Sequence, residues 1–200
     1  MSISDKYKEL ESQLAQYFKE QGFEKHRSNY LLRNGECNGV INIQKSKVST
    51  KELIKFTYNI GVYSTVLANF YNGFVKEDIA IDDCHWIKRI GLFNNGNKDL
   101  WFEINTQITM DSLVKSLKYI FSKNVLPELK EILKANGLLA TWVENKNTNV
   151  TEFERLLNLT VLMTKANHPD KEKAMSELMA YAKSRKISIE LHLQKLNGVI

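Results

Sequence analysis

Two hundred residues, 43% of them hydrophobic and 26% charged, suffice to bury a substantial core and are too apolar to remain disordered. The net charge of +5 comes from lysines scattered along the chain without a block of like charge, and no RNP-like or helix-turn-helix signature accompanies them, so nucleic acid is not the expected partner. There is no run of about 18 apolar residues, no apolar h-region in the charged start MSISDKYKELE, and no C-x-x-C around Cys37 or Cys84, which sets aside a membrane span, a signal peptide, a disulfide framework and a zinc site; a cytoplasmic protein is expected.

Ser4 to Gln21 reads as a helix. Ser4 or Asp5 can cap it, because a short side-chain oxygen satisfies a free backbone N–H. Tyr7, Leu10, Leu14, Tyr17 and Phe18 recur at three and four and form one face. Gly22 ends it, since glycine accepts the left-handed terminus. Asn29–Arg33 and Val40–Lys47 flank NGECNG and read as a hairpin. Leu53–Tyr63 alternates Ile54, Phe56, Tyr58, Ile60 and Val62 against polar or small residues, a strand with one buried face. Ser64–Ile81 is mixed and fits a helical turn or an apolar loop under the sheet. Trp86–Leu92 and Leu100–Ile104 read as a second hairpin across FNNGNKD.

Ile108–Asn136 is a long helical segment with Asp111 as a cap and Leu113, Leu117, Ile120, Phe121 and Val125 as its stripe. Pro127 is expected to break or kink it near Asn124–Val125, because proline cannot donate and clashes with the preceding turn. Gly137 stops it. The polar, aperiodic ENKNTNVT, Glu144–Thr151, is the expected linker between an α+β domain over 1–143 and a helical extension over 152–200. Helices are expected over Glu152–Ala166 and Pro169–Lys183. The tail ISIELHLQKLNGVI fits strand or helix, and its helical neighbours favour helix. His168-Pro169-Asp170 matches the tripeptide of J-domain co-chaperones. The helix before it lacks their basic face, however, and a helix start explains the three residues. The fold class is α+β: a mostly antiparallel four- or five-stranded sheet packed on the first and the long helix, followed by a helical extension.

Alternation sorts the strands into two faces. Ile41, Ile43, Phe56, Tyr58, Ile60, Trp86, Ile90, Leu100, Phe102 and Ile104 belong against the helices. The opposite face gathers Asn42, Gln44, Thr57, Asn59, His85, Arg89, Asp99, Trp101 and Glu103. Amides, an arginine, carboxylates and a tryptophan supply oriented hydrogen bonds and a flat apolar platform, as a binding surface requires. The bland reading is an ordinary solvated face on which Arg89 pairs with Asp99 or Glu103. Asp82-Asp83-Cys84-His85 invites a metal reading, but consecutive residues of an extended chain point alternately apart, so neither a metal site nor a Cys84–His85 dyad is expected.

Five features recur in order. They are a first helix ending in Gly22-Phe23, the strand INIQ, the strand NIGVY, an R-x-G at Arg89 and Gly91, and a D-x-W at Asp99 and Trp101. Together they resemble an uncharacterised bacterial family, domain of unknown function 4304, over roughly residues 5–125. The resemblance implies an α+β fold, carries no established activity, and falls on Gln44, Arg89, Gly91, Asp99 and Trp101. Two functions are weighed. The first is a non-enzymatic binding module, immunity- or antitoxin-like by analogy, engaging a protein partner through Gln44, Asn59, His85, Arg89, Asp99, Trp101 and Glu103. The second is an enzyme or small-ligand binder in which Arg89 holds an anionic group and a carboxylate acts as base. No catalytic motif, cofactor or metal is indicated.

Overall fold

The protein is described from a computed structural model covering residues 1–93, 100–144 and 150–198. Its first helix, α1 (Ile3–Glu20), is capped by Ser2 rather than Ser4. The Ser2 hydroxyl accepts from the Asp5 N–H at 3.1 Å, and the Asp5 carboxylate accepts from the Ser2 N–H at 3.3 Å. Asp5 thus serves as the third-position partner of a reciprocal box, which favours the serine three residues before it. Gly22 follows the helix at φ 91°.

Among the described residues the sheet has six antiparallel strands: β1 (Glu24–His26), β2 (Asn29–Leu32), β3 (Cys37–Lys45), β4 (Ile54–Ser64), β5 (Trp86–Arg89) and β6 (Phe102–Ile104). β1 escapes alternation because it is three residues long, and its turn to β2 uses Arg27 at φ 54°, a residue with no turn signature. The second hairpin is not formed. β5 and β6 both pair with β4, at Asn59–Val62 and Ile54–Phe56 respectively, and run end to end along the same edge. Between them β4 advances by Thr57 and Tyr58 only, while the other chain inserts residues 90–101, beginning with the helical turn α3 (Ile90–Phe93). The Asn-Gly turn of the expected hairpin, at Asn95-Gly96, lies outside the described residues. Pairing the two segments with each other would leave the edge of the eleven-residue β4 without partners; pairing both with β4 satisfies it.

The face of Phe56, Tyr58 and Ile60 packs on α1 and on the long helix. Phe18 and Tyr58 each meet Phe121 edge-on, at 4.8 and 5.0 Å, and Tyr30 lies 4.6 Å from Phe18. The long helix does not break at Pro127. α4 (Met110–Ile120) passes through a π turn, Phe121–Val125, into α5 (Leu126–Ile132). The Leu126 N–H reaches back five residues to the Phe121 carbonyl, and the wider turn admits the proline ring. Phe121 and Val125 stay fully buried, which holds the axis in place. Gly137 opens α6 (Gly137–Val143) rather than closing α5, and a Cβ there would run into the Glu131 and Ile132 carbonyl oxygens.

Ser64 caps α2 (Thr65–Asn72), and Gly73 at φ 76° ends it. Beyond α6 come α7 (Glu152–Lys165), α8 (Lys171–Arg185) and α9 (Glu190–Asn197), so the ambiguous tail is helical where it is described. Pro169 precedes the Asp170 cap of α8 instead of occupying its first turn. Of the expected linker, residues 145–149 lie outside the described residues, and Thr151 forms a capping box with Glu154 at the start of α7. Leu156, Leu157, Leu159, Val161 and Met163 of α7 join the same apolar cluster as the sheet. The Tyr71 hydroxyl donates to buried Asn158 at 2.6 Å, and Arg155 donates to the Trp142 carbonyl at 2.9 Å.

Lys6 ties α1 to the segment before α4. Its ammonium donates to the carbonyls of Asn105, Thr106 and Ile108 at 3.0, 3.2 and 3.1 Å. Lys6→Met keeps the aliphatic stem and leaves these oxygens to water, and is expected to cost about 1–2 kcal/mol in denaturant titrations. An unchanged midpoint would show that the three bonds add nothing net.

Candidate functional site

The second face of the sheet is divided. Near one end, Leu31, Val40 and Tyr63 are roofed by Ala68, Ile79 and Cys84 into a small apolar cluster. Gly61 sits beneath Cys84, and a Cβ at Gly61 would lie 2.6 Å from the Cys84 sulfur. Only glycine lets that roof approach the strand. Burial pushes the Cys84 thiol far above its ordinary pKa, so it stays protonated and inert.

Beyond the roof the face is polar. Register places Asn29, Asn42, Asn59 and Arg89 opposite one another on β2, β3, β4 and β5, one straight row across four strands. The amides are bonded in series. Asn42 Nδ2 donates to Asn29 Oδ1 at 2.8 Å, and Asn59 Nδ2 donates to Asn42 Oδ1 at 3.4 Å and to Gln44 Oε1 at 3.0 Å. Asn42 is buried although polar, and its saturated amide is what makes that tolerable. At the end of the row the Arg89 guanidinium lies over the Trp101 ring, 5.7 Å from its centroid. Both side chains are half-buried. Thr57 donates to the Leu100 carbonyl at 2.8 Å and fixes the returning chain beside the row.

The remaining expected residues disperse. Glu103 forms an ion pair with Lys55 at 2.7 Å. Asp99 lies outside the described residues. His85 is withdrawn beneath α2: its Nδ1 accepts from the Ser64 N–H at 3.1 Å, and its ring lies 5.4 Å from Tyr63 and 6.1 Å from Tyr71. Burial pushes its pKa down to about 4, with nearby Asp83 opposing the shift, so the imidazole is neutral. Tyr63, beside His85, and Lys55, opposite Glu103, are eight residues apart on β4, so the imidazole and the carboxylate are separated by roughly 27 Å. They cannot act on one substrate group. Among the described residues no group of three His, Cys, Asp or Glu is placed to hold a metal ion.

Asn29 belongs to the site and was not recognisable from the sequence as a member. Alternation within its own short strand says nothing of which residue of β3 it faces. A cleft of about 710 Å³ lies elsewhere and is lined by Lys88, Glu128, Glu131, Lys134 and Thr141, among others. Its charges consume one another: Lys88 pairs with Glu128 at 2.7 Å and Lys134 with Glu131 at 2.6 Å. Lys88 projects to the helical side of β5, opposite Arg89, with its ammonium 4.2 Å from the Phe93 ring centroid.

No helix among the described residues is long and apolar enough to cross a membrane. Comparison with curated proteins and with solved structures returns no match. The family described as domain of unknown function DUF4304 matches residues 14–131, more than half of the chain. That span runs from within α1 to α5 and contains all six strands, the amide row, Arg89 and Trp101, while α6 to α9 lie beyond it. By this match the chain belongs to the domain of unknown function 4304 family.

Proposed function

We propose that this chain is a non-enzymatic binding module that engages a protein partner through the polar part of its second sheet face, as small immunity and antitoxin proteins do. The observation that carries the reading is the row Asn29–Asn42–Asn59–Arg89 with Trp101 against its charged end. Arginine and tryptophan are the side chains that most often dominate interfaces, and a pre-bonded amide row holds its shape without a partner. The enzyme reading finds less support. Glu103 is neutralised by Lys55, His85 is remote, and the described cavities are lined by other residues.

The test is paired. Wild type, Arg89→Ala, Arg89→Lys and Trp101→Ala are immobilised and exposed to extract of the native host, and each is melted separately. A protein held by wild type should be lost by all three variants, by about 2 kcal/mol or more in affinity, with little change in melting temperature. Arg89→Lys should fail nearly as badly as Arg89→Ala, because lysine keeps the charge and loses the planar fork of donors. Retained affinity in Arg89→Lys would reduce Arg89 to a generic cation. A collapse of the melting temperature in both Arg89 variants would make the residue structural.

A further inference from the structure

A small pocket lies away from the polar sheet face, where the strands meet the helices that follow them. Its volume is about 140 Å³. Val66 of α2, Leu138 and Leu139 of α6 and Leu162 of α7 wall it, together with Cys37 at the start of β3. The two α6 leucines are buried, and Val66 and Leu162 are half-buried. Burial, with a smaller push from the Glu36 carboxylate, raises the Cys37 thiol to about 11. It therefore stays protonated at neutral pH and acts as one more apolar wall. Leu138, Leu139 and Leu162 lie beyond the residues 14–131 that the family covers, so the pocket is a product of this chain's helical extension.

Glu36 and Lys165 are exposed and also line the pocket, one in the turn before β3 and the other at the end of α7. The influence of Glu36 on the Cys37 thiol places its carboxylate near the apolar wall. Among the described residues neither charge is taken up in an ion pair. We infer that this pocket takes a free aliphatic α-amino acid of the size of valine or leucine, its side chain among the leucines, its carboxylate on Lys165 and its ammonium on Glu36. Size sets the side chain. An apolar cavity of about 150 Å³ holds one benzene, so this one admits a small branched aliphatic group and is too small for a long acyl chain. Charge sets the head. An aliphatic acid would bring a second carboxylate towards Glu36, and an aliphatic amine a second ammonium towards Lys165; only a group carrying both signs suits both side chains. The pocket is separate from the docking face, and neither reading depends on the other.

The test titrates L-leucine into the full chain up to millimolar concentration by calorimetry. Glycine, which lacks the side chain, and 4-methylpentanoate, which is leucine without its ammonium, are the comparisons. Leucine should bind, and both comparisons should bind about fivefold more weakly or worse. Glu36→Gln and Lys165→Gln keep length and polarity at exposed positions and remove one charge each. Both should keep the wild-type melting temperature and bind leucine about fivefold more weakly, as expected of a solvent-screened ion pair lost. Failure of wild type to bind leucine overturns the assignment. So does equal binding of glycine, which would leave the apolar wall unused, or of 4-methylpentanoate, which would leave Glu36 without a role. Unchanged leucine affinity in both variants overturns it as well.

Discussion

Trp86→Ala is expected to lose about 3–5 kcal/mol of folding stability, whereas Trp101→Ala should lose about 1 kcal/mol or less. Trp86 is 1% exposed, pairs with Val62 in register, and meets the Phe93 ring edge-on at 6.4 Å on the helical side of the sheet. Truncation there opens a cavity that the surrounding core cannot fill by small shifts. Trp101 is half-buried on the opposite face and gives up mainly its contact with Arg89. Binding should rank the two residues in reverse. Urea titrations followed by circular dichroism, which does not depend on the indole removed, measure both. Equal loss in the two variants would place Trp101 in the core and remove the platform from the proposed face.

The second large effect is a pH dependence. His85 has a folded pKa of about 4 against 6.5 for an unperturbed imidazole, because burial beneath α2 disfavours its cation. Above pH 6.5 both states are neutral, and the group has no influence on stability. As pH falls from 6.5 to 4 the unfolded chain takes up a proton that the folded chain refuses, so stability declines. The loss amounts to about 3 kcal/mol by the lower end of the window. Protonation in place would also abolish the acceptor that Ser64 N–H uses. His85→Asn retains an acceptor at about that position and cannot titrate. Between pH 6.5 and 4 the wild type should lose about 3 kcal/mol more than this variant in denaturant titrations. Carboxylates remote from His85 cancel in the difference, whereas Asp83, which interacts with the imidazole, is part of the effect measured. Parallel curves for the two proteins would contradict the withdrawn, neutral histidine.

The contrast between Trp86 and Trp101 was legible in the chain because each strand alternates, and the phase of one strand can be read without its neighbours. The site of the π turn was legible for a similar reason. Pro127 acts on its own preceding turn, although whether the helix breaks or widens depends on Phe121 and Val125 being pinned in the core. His85 was misjudged because phase assigns a face and not a cover. The same side of the sheet is apolar and roofed near Tyr63 and polar near Asn59.

By itself the sequence determined the α+β class, the long strand over Leu53–Tyr63, the first helix and the long helical segment with their apolar stripes, and the candidacy of Gln44, Asn59, Arg89 and Trp101. All of these follow from periodicity and local backbone chemistry. Tertiary structure alone decided that β5 and β6 share the edge of β4 instead of pairing with each other. It also brought Asn29 into line with Arg89 across β2, β3, β4 and β5. Strand pairing is a competition among segments distant in the chain for the same row of backbone hydrogen bonds, and no single segment carries the identity of the partner that wins.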